Sequence, residues 1–346
     1  MIVVIIAGGA GTRLWPLSTS EYPKHLLKIN GDTQSILQKT YERASSLTDQ
    51  IYIVSERSHI NEVKNQLPNL TDDKFYVEPA RKGTANCIIA AMVKLSGVHD
   101  PNEPIAFIHA DHFVRDHKGF AHSFKIATTA SAKEQKIVLV GVEPTYPATG
   151  FGYIEKDGLY DEEHFIYKVG SFKEKPDFKT AQTYQLSGNY LWNCGYFVGS
   201  LNTFKQKMEH FAPDLLASFE KLSGVGEEFE EVYLSLENEA IDYALIEKVD
   251  DLLVVPASFD WMDLGSYKDL ASVVTLDEAG NYLRGDVEID EVNNSYIENY
   301  EDKPVAVIGL DNCVVINTKD GILVSRKDMS QKVGDIAKKI AARGSR

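Results

Sequence analysis

Over the first 142 residues, short apolar runs rich in β-branched residues alternate with segments of helical period, and few architectures accommodate that alternation. Ile2–Ala7, Ile51–Ser55, Lys74–Val77, Ile105–His109 and Ile137–Val142 read as strands, several nearly all apolar, as strands buried on both faces are. Between them, Gln34–Leu47 sets Leu37, Tyr41 and Ala44 on one helical face, and Thr84–Leu95 and Gly119–Ala132 read as further helices. Alternating βαβ units predict an α/β, Rossmann-like domain with a mainly parallel mixed sheet and right-handed crossovers.

The regularity loosens after Gly150. Two hairpin-like stretches, Tyr153–Glu155 and Ile166–Lys173, precede helical Phe204–Leu222 and Phe229–Glu247, then a strand at Leu252–Pro256 and a helix that begins near Gly265. From Asn281 the pattern changes to short strands, Val287–Ile289, Ser295–Glu298, Val305–Ile308, Cys313–Asn317 and Gly321–Val324, followed by an amphipathic tail at Met329–Ala342. The expected division is a large domain over residues 1–275 and a small β domain with a closing helix over 281–346. No strong internal repeat stands out.

A net charge of −15 argues against a nucleic-acid partner, which calls for a basic footprint. If the ligand is a polyphosphate, positive charge must instead be gathered locally from Arg, Lys, backbone N–H groups or a metal ion. No apolar run approaches the roughly 20 residues of a membrane helix. The apolar start lacks a basic leader and reads as a first strand, not a signal peptide. Cys87, Cys194 and Cys313 have no metal-ligand spacing and fit a reducing cytoplasm.

The first strand runs into Gly8-Gly-Ala-Gly11, where glycines let a backbone approach a phosphate closely. There is no Gly-Lys-Ser/Thr ending, so this is not a Walker-type loop, and Leu14 stands where a dinucleotide fingerprint counted from Gly9 needs its last glycine. The chain continues instead as Thr12-Arg13-Leu-Trp-Pro16 and then Pro23-Lys24. Arg13 and Lys24 flank the loop and supply the cations that the acidic total lacks.

Gly-Gly-Ala-Gly-Thr-Arg-Leu-Trp-Pro-Leu-Ser followed by Pro-Lys resembles the signature of sugar-1-phosphate nucleotidyltransferases, and its Leu-Trp-Pro-Leu-Ser variant is similar to the mannose-1-phosphate guanylyltransferase family. The resemblance implies a nucleotide cradle at Ala7, Gly8, Gly9, Gly11 and Thr12, with Arg13 and Lys24 stabilising the departing pyrophosphate. Glu78-Pro79-Ala-Arg-Lys82-Gly83-Thr84 is similar to the family's base-recognition element, with Lys82 and Gly83 in place of its Arg and Asn. Glu78 is suited to accept from guanine N–H groups. A solvated loop with Thr84 as a helix cap is the plainer reading.

Asp111, in His109-Ala-Asp-His112, ends an apolar strand, where α/β sheets place ligand sites. A hard carboxylate suits Mg²⁺, and the two histidines are expected to diverge too far to favour zinc. Asp263, in Trp261-Met-Asp-Leu-Gly265-Ser, resembles the family's second metal carboxylate; an N-cap role, or Asp260 in its stead, remains open. Glu174-Lys175-Pro176 resembles the element that holds the sugar phosphate, Lys175 on phosphate and Glu174 on hydroxyls. Gly150-Phe-Gly152 and Trp192-Asn193-Cys-Gly195 match further sugar-pocket elements, with Trp192 expected in the core.

The matches are collinear from residue 5 to about 270, and the tail resembles that family's short β-helix-like domain. Longer relatives carry an added phosphomannose isomerase domain for which the chain is too short. The implied reaction is guanylyl transfer from GTP to α-D-mannose 1-phosphate, giving GDP-mannose and pyrophosphate, with Mg²⁺ as cofactor and a homodimer as the expected assembly. Two other readings stay open: the same chemistry with glucose or heptose 1-phosphate or with UTP, dTTP or ATP, and an inactive regulatory paralogue.

Overall fold

The structure, a computed structural model, describes residues 1–9, 11–29, 31–226 and 228–344; Ala10, within the glycine-rich segment, and Asn30, Glu227, Ser345 and Arg346 lie outside the described residues. The strands of the large domain are β1 (Ile2–Ala7), β2 (Ile51–Glu56), β3 (Phe75–Glu78), β4 (Pro104–His109), β5 (Val138–Val142), β6 (Gly152–Asp161), β7 (Ile166–Lys173), β8 (Tyr190–Ser200) and β9 (Leu253–Pro256). They form one nine-stranded sheet in the order β3-β2-β1-β4-β8-β5-β9-β7-β6. Its helices are α1 (Ile36–Ser45), α2 (Ile60–Gln66), α3 (Gly83–Leu95), α4 (His117–Glu134), α5 (Phe178–Ser187), α6 (Leu201–Phe211), α7 (Pro213–Gly224), α8 (Phe229–Ser235), α9 (Ile241–Ala244) and α10 (Tyr267–Val273).

Every residue of β1 is buried, since helices cover both faces of the sheet and leave no solvent side for alternation to mark. Strands β3, β2, β1 and β4 are parallel, as the βαβ pattern predicts, and so are β5 and β9. Between these two parallel groups β8 runs antiparallel to both β4 and β5. In sequence only its Leu191–Gly195 portion stands out, as a pocket element, because Asn193, Gly195 and Gly199 interrupt its apolar pattern. Gly195 is obligatory: its φ is +68° and an added Cβ would lie 2.6 Å from His109 Nε2.

Two expected helices are each broken in two. Phe204–Leu222 divides at Ala212-Pro213, where proline opens α7 at its first turn and Ala212 is forced out of the helical region (φ −148°, ψ 62°). Phe229–Glu247 divides between α8 and α9. The linking residues trade helical bonds for tertiary ones: Glu239 O accepts from Ala85 N, Glu237 O accepts from Asn86 Nδ2, and Thr84 Oγ1 accepts from Ile241 N.

The C-terminal part consists of β10 (Tyr282–Arg284), β11 (Val287–Asp290), β12 (Tyr296–Asn299), β13 (Val305–Ile308), β14 (Cys313–Thr318) and β15 (Gly321–Arg326), closed by α11 (Val333–Gly344). Tyr282 pairs with Tyr296 and Tyr296 with Val314, all in parallel, so successive coils stack as a short β-helix. Asn317 Nδ2 donates to Asn299 Oδ1 (2.9 Å) in the same stack. This repeat is not legible in sequence, because the step from Tyr282 to Tyr296 differs from the step between the next coils.

The two parts share an apolar cluster. Leu14, Leu264 and Tyr267 of the large domain pack with Tyr296, Val314 and Val333 of the C-terminal part.

Candidate active site

The signature segment is held by close packing. Gly11 has φ +58°, and a Cβ there would lie 2.8 Å from Lys24 N, so only glycine lets the loop lie against Lys24. Residues Thr12–Leu14 form a 3₁₀ turn directly after it. The hydroxyl of Tyr267 donates to Leu14 O (2.7 Å) and lies 3.0 Å from Trp15 O, tying α10 to this turn. Trp15 packs on Gly321 of β15, and Arg13 runs between Gly265 and Gly334, the latter in the first turn of α11.

At the carboxyl ends of the sheet strands, Asp111 and Asp263 converge on Lys24. Lys24 Nζ lies 2.8 Å from Asp111 Oδ2 and 3.0 Å from Asp263 Oδ1, and it also donates to the Asp263 carbonyl. Arg13 Nη2 lies 3.4 Å from Asp263 Oδ2. Burial opposes the charge on Lys24, but Asp111 and Asp263 outweigh it and raise the ammonium pKa. Burial likewise opposes both carboxylates, and Lys24 first among their neighbours holds both below the usual range. The sequence alone allows Asp263 to be either a ligand or a cap, and the structure separates the two. Ser266 caps α10, accepting from Asp269 N, and Asp260 accepts from Arg115 N and Asp116 N, 2.9 Å each, away from Lys24. Asp263 is therefore free of the capping role.

His109 and His112 do not diverge as expected; their ring centroids are 5.1 Å apart. His112 Nδ1 meets Tyr196 OH at 3.0 Å, and burial pushes its pKa down to about 3, so it is neutral. Among the described residues no group of three or more His, Cys, Asp or Glu side chains is arranged to hold a metal ion. The donor set is two carboxylates, which suits a hard cation completed by substrate phosphates and water better than a dedicated zinc cage.

Beyond Asp263 opens a cleft of about 890 Å³, lined among others by Arg13, Gly150, Lys175, Trp261 and Gln331. Lys175 sits at a strained φ of +47° after β7, with its Nζ 3.0 Å from Glu174 Oε1 and more than half of its side chain exposed. A recess of about 170 Å³ joins Asp263 to Gly152, Glu174, Asn193 and Asp242. A Cβ on Gly152 would lie 2.3 Å from Glu174 Oε2, so any side chain there would displace the Glu174 carboxylate. Trp192 is 3% exposed and packs edge-on against Phe151 and Tyr146 in a small apolar cluster, and it also lines the cleft.

None of the expected nucleotide residues, Ala7, Gly8, Gly9, Gly11, Thr12, Glu78, Pro79 and Thr84, is among those lining this cleft or recess. Glu78 is buried, with Oε1 accepting from the Tyr233 hydroxyl, and burial raises its pKa. Thr84 Oγ1 accepts from Ile241 N and so anchors α9. The substitution of Gly83 for the family's Asn has a local reason: φ is +86°, and a Cβ would lie 2.0 Å from Glu239 O.

Residues 2–280 match the family described as Nucleotidyl transferase, and residues 286–340 match the MannoseP isomerase/GMP-like beta-helix domain. The chain belongs to the nucleotidyl transferase family. Among its relatives, a mannose-1-phosphate guanylyltransferase of Escherichia coli is 34% identical over 99% of this chain and 76% of its own length. The xanthan biosynthesis protein XanB of Xanthomonas campestris pv. campestris is 33% identical over 99% of this chain and 74% of its own. A crystal structure described as mannose-1-phosphate geranyltransferase from Thermus thermophilus superposes with a TM-score of 0.87 at 27% identity, covering 98% of this chain and 99% of that one. The chain is thus a transferase enzyme, a sugar-phosphate nucleotidyltransferase with a C-terminal β-helix-like part. No helix among the described residues is long and apolar enough to cross a membrane. Sequence reasoning missed Asp242 and Tyr267, whose positions in the site depend on tertiary folding and carry no local motif signal.

Proposed function

We propose that this enzyme transfers a guanylyl group from GTP to α-D-mannose 1-phosphate, releasing pyrophosphate and forming GDP-mannose. The observation that carries the reading is the convergence of Arg13, Lys24, Asp111 and Asp263 beside a cleft lined by Lys175 and a recess lined by Glu174. The choice of mannose and guanine is supported by the name of the Escherichia coli relative.

In this mechanism a phosphate oxygen of the sugar 1-phosphate attacks the α-phosphorus in line, forming one P–O bond while the bond to the pyrophosphate oxygen breaks. No protein nucleophile is needed, and catalysis is positioning plus charge neutralisation. Asp111 and Asp263 would hold Mg²⁺, which when bound neutralises charge on the reacting phosphate oxygens. The glycine loop at Gly8, Gly9 and Gly11, with Ala7 and Thr12 beside it, approaches the triphosphate. Arg13 and Lys24 balance the leaving pyrophosphate. Lys175 holds the attacking phosphate, and Glu174 orients the sugar, with Gly152 clearing the space. Asn193 acts through neighbours already fixed, since its amide bonds Asp242 and Gly195. Three buried thiols with no disulfide among them support a reducing cytoplasmic setting.

Pyrophosphate release measured over a matrix of nucleoside triphosphates and hexose or heptose 1-phosphates tests the reading. GTP with mannose 1-phosphate is expected to give the highest kcat/KM. A different best pair would reassign the substrates, and no release with any pair would leave only a binding role.

The contact between Arg13 and α11 yields a separate expectation. A Cβ on Gly334 would lie 3.2 Å from Arg13 Cγ, while Gly→Ala at a position whose backbone alanine can adopt ordinarily stabilises by roughly 0.4–1 kcal/mol. Gly334→Ala should melt no lower than wild type, yet lose roughly tenfold in kcat, short of the hundredfold that a 1 Å misplacement can cost. Equal kcat with equal melting would show that Arg13 accommodates the methyl.

A further inference from the structure

Besides Glu174 and Asp263, the sugar-side recess contains a carboxylate whose surroundings point to a ligand. Asp242 lies in α9, whose first residue is anchored by Ile241 N donating to Thr84 Oγ1 (3.0 Å). Its Oδ1 accepts from Asn193 Nδ2 at 2.7 Å, and Asn193 Oδ1 in turn accepts from Gly195 N at 2.9 Å. These two contacts of opposite polarity fix the orientation of the Asn193 amide, and with it one oxygen of Asp242. Across the recess, Glu174 Oε1 pairs with Lys175, but Glu174 Oε2 is buried without a hydrogen-bond partner.

Glu174 and Asp242 face one small space that Asp263 also borders, Glu174 has an unsatisfied oxygen, and leaving a buried acceptor unpaired costs about 1–3 kcal/mol. The chemistry that relieves this is a set of neutral hydroxyl donors. A phosphate would add repulsion, and its natural partner, Lys175, stands at the outer side of Glu174. Burial first, and then Glu174, pushes the Asp242 pKa up to about 6, which marks how poorly a second negative charge is tolerated there without donors.

We propose that Asp242 is a sugar-specificity residue: its carboxylate, held by Asn193, accepts a hydrogen bond from one ring hydroxyl of the sugar phosphate while Glu174 accepts from another. This rests on the reading that the recess receives the sugar of a hexose 1-phosphate. Asp242 is then the residue through which the enzyme distinguishes hexoses that differ at that hydroxyl, because a site built to accept a hydroxyl rejects an analogue that lacks it.

The test uses the full chain, the hexose 1-phosphate that wild type turns over fastest, and the monodeoxy analogues of that compound. Asp242→Ala is expected to raise the KM for the sugar phosphate about 10–100-fold, the scale of a hydrogen bond to a charged group, and to leave the KM for the nucleotide within about twofold. Wild type should discriminate strongly against one deoxy analogue, and the variant should use that analogue as well as it uses the parent. Asp242→Asn, which preserves shape and an acceptor, should retain an intermediate KM and the wild-type melting temperature, and it serves as the folded control if the alanine variant is unstable. An unchanged sugar KM overturns the proposal. So does an equal loss toward every analogue and the nucleotide, which is what a structural tether of α9 to β8 would give. Calorimetry separates this from the reaction itself: hexose 1-phosphate binding without turnover would sink the reaction while the analogue series is read as Kd values, and no hexose 1-phosphate binding would sink both.

Discussion

Asp263→Ala is expected to lower kcat for pyrophosphate release at least roughly a hundredfold, the loss associated with one preorganised electrostatic contact. The Asp263 side chain reaches both Lys24 and Arg13, so its removal unbalances two cations and one of the two carboxylates proposed to hold Mg²⁺. The fold has reason to survive, because Ser266 caps α10 and Leu264 remains fully buried in the shared apolar cluster. Asp260→Ala is the matched control. It removes a carboxylate three residues away whose contacts are the backbone N–H groups of Arg115 and Asp116, so it should cost about 1 kcal/mol of stability and little turnover. Near-normal kcat in folded Asp263→Ala would remove that residue from the mechanism.

Lys24→Met is expected to have the largest effect on stability. Its ammonium is almost wholly buried and is shared by two carboxylates, whose side chains are 26% and 21% exposed. Removing one partner of a fully buried pair costs roughly 3–5 kcal/mol, and partial exposure of Asp111 and Asp263 puts this loss at or below that range. The pH dependence follows from the signs. In wild type both carboxyl pKa values are depressed, so their stabilisation is present above the ordinary carboxylate range and is lost as pH falls through the folded values. The raised Lys24 pKa adds stability that is lost only as pH rises beyond the ordinary lysine range. Without Lys24 two facing carboxylates repel, their pKa values rise, and that part of the stability fades as pH rises through them. The gap in melting temperature between wild type and variant should therefore be widest near neutral pH, narrow as pH falls through the unperturbed carboxylate range, and close only below the depressed folded values. A gap that is constant with pH would mean that Lys24 contributes packing and not charge.

Much of this is readable from residue order. The parallel strands show themselves through buried apolar runs, and the glycine, Arg13 and Lys24 spacing marks a phosphate site in an acidic chain. Geometry is needed where one local signal has two physical outcomes. Asp260 and Asp263 are equivalent in a string of letters, and only the chain path shows that one caps a loop while the other faces Lys24. Glu78 looks like a base reader from its neighbours, and only the fold shows that Tyr233, distant in sequence, donates to one of its oxygens. Asp242 is hidden because the residues that give it a purpose, Asn193 and Glu174, come from β8 and the end of β7. Those strands meet α9 only after an antiparallel strand has been threaded into the sheet, which no periodicity predicts.

The shared cluster of Leu14, Leu264 and Tyr267 with Tyr296, Val314 and Val333 has a consequence for how such a chain can change over time. The reactive loop owns no private foundation, for the C-terminal coils are part of the floor beneath it. Exchanging those coils for another module would require new packing beneath Leu14 and Leu264, unlike the exchange of a domain on a tether. A change of volume at Tyr296 or Val333 is a change under Leu14 and Leu264, and natural sequences should vary at these positions in concert, so that the ancestry of the coils and of the loop is a single history.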